Sequence, residues 1–403
     1  MLSTQEALDA VLAAARPLDS RETVDTLAAN GRVLAADVVA TLDVPPMDTS
    51  AMDGYAVRVA DLLGAETVLP VSQRIPAGHA PQPLASGTAA RIFTGAPVPP
   101  GADAVVMQEQ CDARDDGSVV IRHTPLAGEF VNRQGADIRR DSVVLAAGTR
   151  LRAPALGLAA SVGIAKLQVA RRLRVAVFFT GDELTMPGEP LRAGSIYNSN
   201  RFVLRSLLEN LGCQMTDYGI VPDNLAATRA ILRDAARGND LIITSGGVSV
   251  GEEDHVKPAV EAEGRLNLWQ IALKPGKPLA YGEVKRANGE TAHFIGLPGN
   301  PVSSFVTFLL FVRPFILRLQ GATNVTPRRI AMRADFTQKK ADRRNEFVRA
   351  RINDQGGLDA FPNQSSAVLT STVWGDGLID NPPEHRIEAG QTVAFLPFSD
   401  LLY

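Results

Sequence analysis

The sequence predicts a multidomain α/β protein with a central, doubly wound, mostly parallel sheet, flanked by a β-rich insert and a small C-terminal β-domain. Three observations favour this class. The chain has 403 residues, more than one domain usually holds. Apolar strands alternate with helical stretches in its middle, and short β-prone pieces separated by Pro/Gly turns lie on either side. The expected units are 1–43 with 140–172 (helical and linker), 44–139 (insert), 173–325 (α/β) and 326–403 (β-barrel-like).

The first elements are a short helix and a set of short strands. Ser3 and Glu6 form a capping-box pair, and apolar residues follow at helical spacing, so a helix is expected to end before Pro17. From about residue 42 to 148 no long helical period is present. The β-prone pieces there are 67–75, 90–93, 104–108 and 118–123. They predict an all-β insert of about 100 residues.

The middle of the chain alternates between apolar strands and helices. Strands are expected at 173–179, 218–221, 241–244, 266–272 and 292–295, and helices at 201–211, 225–237 and 302–319. This alternation predicts a parallel sheet covered on both faces. After Thr326, strand patterns at 346–352 and 392–396 predict the C-terminal β-domain.

Composition excludes several classes of protein. The formal net charge of −3 argues against a protein that binds the phosphate backbone of nucleic acid. Cys111 and Cys213 form no CxxC pair, so neither a disulfide framework nor a structural zinc site is expected. The longest apolar runs, 155–165 and 305–312, are shorter than a membrane span, and the first residues do not resemble a signal peptide. We expect a cytoplasmic protein without nucleic-acid or membrane partners.

Polar loops follow the carboxyl ends of the expected strands, which is where doubly wound sheets bind ligands. The loops are 180–183, 222–224, 245–254, 274–278 and 296–301. Three of them contribute the carboxylates of Glu183, Asp223 and Asp254. Carboxylates brought together at one edge repel one another unless a cation joins them, and oxygen ligands suit Mg²⁺.

The same loops contain glycines and lysines. Gly246 and Gly247 allow backbone N–H groups to approach a phosphate or another oxyanion. Lys274 and Lys277 add positive charge for that anion. Together with the carboxylates, these residues predict a Mg²⁺-assisted site for a phosphorylated or nucleotide-like substrate.

Each of these residues also has a plainer interpretation. Asp182 or Glu183 could cap a following helix, and Asp223-Asn224 is an ordinary helix start. The glycines could serve tight turns, and the lysines could be solvated loop charges. Two nucleotide-binding motifs are absent: glutamates stand where a P-loop needs Lys and Ser/Thr, and no GxGxxG follows a strand. No Ser/His/Asp or Cys/His set indicates a protein nucleophile.

Longer motifs resemble one known family, the MoeA-type molybdopterin molybdenumtransferases, which includes the gephyrin E-domain. In the first part of the chain the resemblance rests on 43–56 (DVPPMDTSAMDGYA), 91–96 (RIFTGA), 101–106 (GADAVV) and 135–138 (GADI). In the middle it rests on TGDE, SGGVSVG, KPGKP and GLPGNP. The motifs occur in the family's order from residue 43 to 301, and the β-like tail also agrees.

The resemblance implies the last step of molybdenum cofactor synthesis, with a central sheet of the molybdopterin-binding type. Adenylated molybdopterin and molybdate are the implied substrates, Mg²⁺ the cofactor and AMP the released product. The family also implies an elongated homodimer, in which the central domain of one subunit faces the insert or tail of the other. Handover of the adenylate from a molybdopterin adenylyltransferase is a further implied partnership.

The family's functional positions fall on defined residues of this chain. Glu183, Asp223 and Asp254 would hold Mg²⁺ or act beside it, and Asp53, Thr94 and Asp137 would reach the site from the insert. The expected substrate-binding residues are Ser245, Gly246, Gly247, Ser249, Lys274, Lys277, Pro298, Asn300, Pro301 and Ser366. The sequence departs from the family at Gln270, where relatives often carry lysine, and at Ser365-Ser366-Ala367, where Gly-Ser-Gly is usual.

Two other functions remain open at this point. The central domain could adenylate molybdopterin from ATP, as related adenylyltransferase domains do, although both flanking β-domains favour molybdenum insertion. A gephyrin-like scaffold is the other alternative. It is weakened by the lack of an added interaction linker.

Overall fold

A computed structural model describes residues 1–64, 66–248 and 255–402. The helices are α1 Thr4–Ala14, α2 Ala153–Ser161, α3 Ser199–Asn210, α4 Leu225–Gly238, α5 Val256–Glu263, α6 Pro301–Thr307, α7 Arg313–Leu319, α8 Thr370–Trp374 and α9 Phe398–Leu402. The strands of the first 172 residues are β1 Arg21–Asp25, β2 Val38–Val39, β3 Thr49–Ser50, β4 Gly54–Val57, β5 Thr67–Ile75, β6 Ala89–Ile92, β7 Ala104–Met107, β8 Cys111–Ala113, β9 Ser118–Ile121, β10 Val131–Asn132, β11 Val143–Leu145 and β12 Lys166–Ala170.

The remaining strands belong to the central and C-terminal parts. They are β13 Arg174–Thr180, β14 Leu184–Thr185, β15 Ile196–Tyr197, β16 Gln214–Val221, β17 Leu241–Ser245, β18 Gly264–Gln270, β19 Leu273–Lys274, β20 Pro278–Lys285, β21 Thr291–Leu297, β22 Ile330–Arg333, β23 Asn345–Ile352, β24 Leu358–Ala360, β25 Gly377–Asn381 and β26 Thr392–Pro397.

The central sheet has the order β16-β13-β17-β21-β20-β18. The first four of these strands are parallel, whereas β20 is antiparallel to both of its neighbours. The expectation of a mostly parallel sheet is therefore confirmed. Strand β20 was not expected, because its sequence starts at a proline and contains Gly282, which sequence patterns penalise in strands. Glycine is needed there, since a Cβ at Gly282 would lie 2.4 Å from the Arg265 carbonyl oxygen.

Helices cover both faces of this sheet. Alternate residues of β13 point to opposite faces, so Val177 and Phe179 join one core while Ala176 and Phe178 join the other. The first core includes residues of α1, α3 and α7, and the second includes residues of α4 and α5. This two-sided burial explains the continuous apolar run in β13, which is typical of parallel strands.

The apolar segment Pro301–Leu319 forms one long helix, made of α6, a π-helical turn at Phe308–Val312 and α7. It has 19 residues, and an 18-residue window of it has a mean hydropathy of 1.7, so by length and composition it could cross a membrane, but 94% of that window is buried inside the protein. The helix expected at 302–319 is confirmed as a core element. The π turn lies just before Pro314, which has no N–H to donate to the preceding turn.

The insert forms a sheet of order β7-β4-β6-β5-β9-β8. The four expected β-prone pieces appear as β5, β6, β7 and β9, with bounds that agree to within two residues. Apolar side chains of this sheet enter two small cores. Gly54 begins β4 where the chain passes very close to β7, because a Cβ at Gly54 would overlap the carbonyl oxygen of Val106.

The segments on either side of the insert contain more strand than expected. Helices α1 and α2 are present, and the capping box of α1 is formed by Ser3 and Glu6. The structure adds the antiparallel pairs β1–β12 and β2–β11 to the helices and linkers that the sequence indicated. Strand β1 was missed because four of its five residues are polar and exposed.

The C-terminal strands form a second sheet that recruits a strand from the central part. Its order is β19-β23-β25-β26-β22, and β24 pairs with β23. The strand patterns at 346–352 and 392–396 are confirmed as β23 and β26. Strand β19 lies parallel to β23, so that Leu273 is opposite Asn345 and Lys274 is opposite Glu346. The tail is thereby joined to the loop that contains both site lysines.

Candidate functional site

The parallel strands end together at one edge of the central sheet. Phe179 of β13 is opposite Ser245 of β17, and Ser245 is opposite Leu297 of β21. On the other side of β13, Thr180 is opposite Val221 of β16. The loops that follow these four strands therefore open at the same edge, as the topology of doubly wound sheets requires of a ligand site.

A cavity of about 1030 Å³ lies at this edge, between the central loops and residues 344 and 364–367 of the tail. Ten of the expected site residues line it: Glu183, Asp223, Gly246, Gly247, Lys274, Lys277, Pro298, Asn300, Pro301 and Ser366. Ser249 and Asp254 lie outside the described residues. Gln270 is exposed and is not among the residues that line the cavity.

The glycine loop after β17 packs too tightly for side chains. Gly246 and Gly247 have φ of +101° and +66°, values that favour glycine. A Cβ at Gly246 would lie 2.5 Å from the Thr180 carbonyl oxygen, and one at Gly247 would lie 2.6 Å from a Val256 methyl group. The glycines thus serve a tight turn, which was one interpretation of the sequence. The same loop also forms part of the cavity wall.

The two described carboxylates of the expected metal site do not act as helix caps. Helix α4 is capped by Asn224, whose side chain accepts from the Ala227 N–H at 2.9 Å, so Asp223 is left at the cavity wall. Glu183 is followed by strand β14 rather than by a helix, and its exposed side chain lies over Gly181. Both side chains offer hard oxygen donors to the same cavity.

No group of three His, Cys, Asp or Glu side chains that could hold a metal ion occurs within the described ranges 1–64, 66–248 and 255–402. The third expected carboxylate, Asp254, falls in the gap between two of these ranges. Glu183 and Asp223 are consistent with Mg²⁺, because oxygen donors are the ligands that this ion takes in proteins.

Lys274 is held by the tail. Its Nζ lies 2.8 Å from Glu346 Oε1 and 3.3 Å from Asp342 Oδ2. Burial lowers the pKa of the Lys274 ammonium, but Glu346 and then Asp342 raise it by more, so that the net shift is upward. Arg344 forms a two-pronged contact with Asp342 and is the main reason why the pKa of that carboxyl is well below its usual range. Lys274 is therefore an ion-paired residue and not a solvated charge.

Lys277 differs from Lys274 in its surroundings. It lines the main cavity and also a neighbouring cavity of about 530 Å³ near Arg343 and Arg344. Among the described residues, no carboxylate lies within salt-bridge distance of its ammonium. Lys277 can therefore offer its positive charge to an anion in the cavity.

Ser245 lies behind the cavity rather than in its wall. It is buried, and its hydroxyl donates to the Pro298 carbonyl oxygen at 3.1 Å. Asn200, which the sequence reasoning missed, donates through Nδ2 to Ser245 Oγ and to the Gly299 carbonyl oxygen, both at 2.8 Å. These bonds tie the start of α3 to two of the site loops. Only the Asn-rich stretch Asn198-Ser199-Asn200 at a helix start could have indicated such a role.

The tail residues around Lys274 were also missed. Asp342, Arg344 and Glu346 belong to a charged segment far from Lys274 in sequence. No local pattern connects them, since it is the pairing of β19 with β23 that brings them together.

The three insert residues do not line the cavity of their own chain. Asp53 Oδ1 accepts from the Thr94 backbone N–H at 2.8 Å and from the Thr94 hydroxyl at 2.7 Å. These two bonds, helped by nearby Arg91, hold the pKa of Asp53 below its usual range. Asp137 is exposed and donates its backbone N–H to the Val44 carbonyl oxygen at 3.0 Å. Asp53 and Thr94 thus form a paired polar cluster on the insert.

Three family models match successive parts of the chain. They are the MoeA N-terminal region (domain I and II) at 2–163, the probable molybdopterin binding domain at 176–318 and the MoeA C-terminal region (domain IV) at 331–398. A molybdopterin molybdenumtransferase from Haemophilus influenzae is 41% identical and covers 93% of each chain. The chain belongs to the MoeA family. A molybdopterin molybdenumtransferase 2 from Mycobacterium tuberculosis is 39% identical over 94% of each chain.

The fold is also that of MoeA structures. The crystal structure of a molybdopterin biosynthesis MoeA protein from Pyrococcus horikoshii OT3 matches 98% of this chain and 100% of its own, with a TM-score of 0.84 and 27% identity. A second structure of MoeA from Pyrococcus horikoshii covers 99% of both chains, with a TM-score of 0.78 and 30% identity. The match extends from α1 to the tail.

Replacing Asn200 with Ala is expected to loosen the site loops. The change removes two hydrogen bonds and leaves Ser245 and Gly299 with fewer partners, so the free energy of unfolding should fall by about 1–3 kcal/mol. Urea denaturation followed by circular dichroism measures this change. The control is Asn30→Ala, because Asn30 is exposed and its side chain has no hydrogen bond to the described residues. Equal stability of the two variants would contradict the tethering role of Asn200.

Proposed function

We propose that this MoeA protein inserts molybdenum from molybdate into adenylated molybdopterin and releases AMP, the final step of molybdenum cofactor synthesis. The observation that carries this function is the match, over more than nine-tenths of each chain, to relatives named molybdopterin molybdenumtransferase. Because those relatives include the insert and the tail, they do not favour an adenylyltransferase or a scaffold. The cavity and its charges support the same conclusion.

The cavity suits a large anionic substrate. Its volume of about 1030 Å³ is at the upper end of what small-molecule pockets provide. The glycines at 246, 247 and 299 line the cavity with backbone, to which phosphate oxygens can bind. Lys277 is well placed to bind the second substrate, molybdate, because it presents a positive charge without a described carboxylate partner.

Mg²⁺ is the cofactor that we propose for this site. Glu183 and Asp223 would hold it with Asp254, since these carboxylates supply the oxygen donors that the ion prefers. When bound, Mg²⁺ would neutralise phosphate charge and polarise the phosphoanhydride bond that is cleaved. The remaining residues position the substrates: Lys277 binds molybdate, and Ser366 closes the cavity from the tail.

We further propose that the active form is a homodimer with the insert of one subunit at the cavity of the other. The Asp53–Thr94 pair is ordered by its own hydrogen bonds but is not part of the cavity of its own chain. A second copy would bring it, with Asp137, to the substrate. The protein would act in the cytoplasm, consistent with its two free cysteines, and would receive the adenylate from an adenylyltransferase.

The function is tested by incubating the purified protein with molybdate, MgCl₂ and adenylated molybdopterin. Release of AMP and formation of molybdenum cofactor are expected, and EDTA should abolish both until Mg²⁺ is restored. Chromatography of the nucleotides follows the reaction. Adenylate that remains unchanged would contradict the proposal, and consumption of ATP with unadenylated molybdopterin would identify an adenylyltransferase instead.

Replacing Lys277 with Ala should weaken molybdate binding. Loss of a charge-assisted contact should raise the KM for molybdate by about 10- to 100-fold while the fold remains intact. Initial rates of AMP release at varied molybdate concentration measure the effect. Lys285→Ala, at the exposed end of β20, is the matched control and should retain the KM of the unmodified protein. An unchanged KM in Lys277→Ala would remove Lys277 from the molybdate site.

Subunit mixing tests the shared site. Asp53→Asn and Glu183→Gln should each give inactive homodimers, because every site then lacks one residue. Refolding or co-expression of the two variants in equal amounts should restore about a quarter of the activity, since half of the dimers carry one intact site of two. Light scattering establishes that dimers are present. Mixed dimers without activity would show that both residues act within one subunit, and fully active single variants would show that neither residue acts at the site.

A further inference from the structure

The wall of the cavity at Lys274 belongs to two sheets at once. Residues 264–270 of β18 lie in the central sheet, whereas Leu273 and Lys274 form β19 at the edge of the tail sheet. The Asn345 N–H donates to the Ala272 carbonyl oxygen at 2.8 Å, directly beside this pairing. The backbone of Lys274 is therefore fixed by the tail and not by the central sheet.

The side chain of Lys274 is fixed by the tail as well. Glu346, opposite Lys274 in the β19–β23 register, is only 3% exposed. Its Oε1 lies 2.8 Å from Lys274 Nζ, and its Oε2 accepts from Gln338 Nε2 at 2.6 Å. Both oxygens of the Glu346 carboxylate thus have partners, and Lys274 is the partner that carries the compensating positive charge.

Burial makes each member of the ion pair depend on the other. A buried carboxylate is costly without a cation, and a half-buried ammonium is costly without an anion, so each group holds the other in place. Asp342 adds a second carboxylate at 3.3 Å, and Arg344 neutralises Asp342 through two hydrogen bonds. Lys274, Arg344, Asp342 and Glu346 form a network whose formal charges cancel.

We propose that Glu346 is a positioning residue. Through Glu346, the tail sheet holds the Lys274 ammonium at the cavity wall and compensates its charge. The oxyanion substrate therefore binds at Lys277. The inference rests on the proposed function for its kinetic test and on geometry alone for its spectroscopic one. Without Glu346, Lys274 becomes a second incompletely compensated cation that competes with Lys277 for the oxyanion. The substrate then binds but is held away from the reacting position.

The kinetic test compares Glu346→Gln with the unmodified protein. The kcat for AMP release should fall by about 10- to 100-fold, as for a misplaced substrate, while the KM for molybdate stays equal or falls. Glu346→Asp keeps the charge with a shorter reach and should recover part of the kcat. Asp335→Asn breaks the Arg333–Asp335 pair of the same sheet, outside the cavity, and is the control. A KM that rises in Glu346→Gln, or a kcat that falls only with the folded fraction, would overturn the proposal.

The second test needs no activity. Titration of ¹³C-labelled lysine, with the Lys274 signal assigned through Lys274→Arg, reports the protonation of this ammonium directly. The charged groups around it are Glu346, Asp342 and Arg344 from the tail, Lys277 on its own loop, and Glu183 and Asp223 across the cavity. Burial lowers the pKa of Lys274 and the tail carboxylates raise it, so Glu346→Gln should lower it.

The titration separates this inference from the function on which it builds. A lowered pKa of Lys274 in Glu346→Gln, with no change in Asp335→Asn, supports the positioning role even if the unmodified protein releases no AMP. In that case the proposed function fails alone. An unchanged pKa of Lys274 in Glu346→Gln would show that Glu346 does not set the charge of this side chain, and the inference would be wrong.

Discussion

The common end of four parallel strands is the constraint on which the site depends. Strand register places Phe179, Ser245 and Leu297 side by side, and the polar loops continue outward from there. Both faces of the sheet are covered by helices, so the loops that follow the parallel strands meet at this edge. The glycines after β17 follow from this crowding, since a side chain at Gly246 would meet the carbonyl oxygen of Thr180.

Charge is distributed unevenly around the cavity, and the distribution suits two different ligands. Glu183 and Asp223 present carboxylates on the side of β13 and β16, where oxygen donors suit a cation. Lys277 presents a positive charge on the side of the tail, which suits an anion. The network of Lys274, Asp342, Arg344 and Glu346 lies on the tail side but contributes no formal net charge. The tail carboxylates therefore compensate the charge of Lys274, whereas no described carboxylate pairs with Lys277.

Patterns that are local in sequence predicted the structure well. Strand β5 has the bounds that its apolar pattern indicated, and α4 begins at the residue after its capping Asn224. Strand β20 was not predicted, because its proline, its glycine and its contiguous apolar residues match no single period. Its position depends on pairing with β18 and β21, which no local pattern encodes.

The same distinction applies to the site. Residues at strand ends, such as Glu183 and Asp223, could be placed in one cavity from the topology of the sheet alone. Glu346 could not, because its role comes from the pairing of a two-residue strand with the tail. Nor could the position of Asp53 be predicted, since its partner Thr94 comes from another turn of the insert.

The pairing of β19 with β23 also makes the site loop depend on the tail. A sequence boundary near residue 326 suggests a C-terminal unit that could be detached, yet Lys274, four residues beyond the end of β18, already belongs to the tail sheet. Separation at that boundary would remove the pairing partner of β19 and both carboxylates that hold the Lys274 ammonium. The loop that carries both lysines should therefore take its functional conformation only when the tail is folded against it.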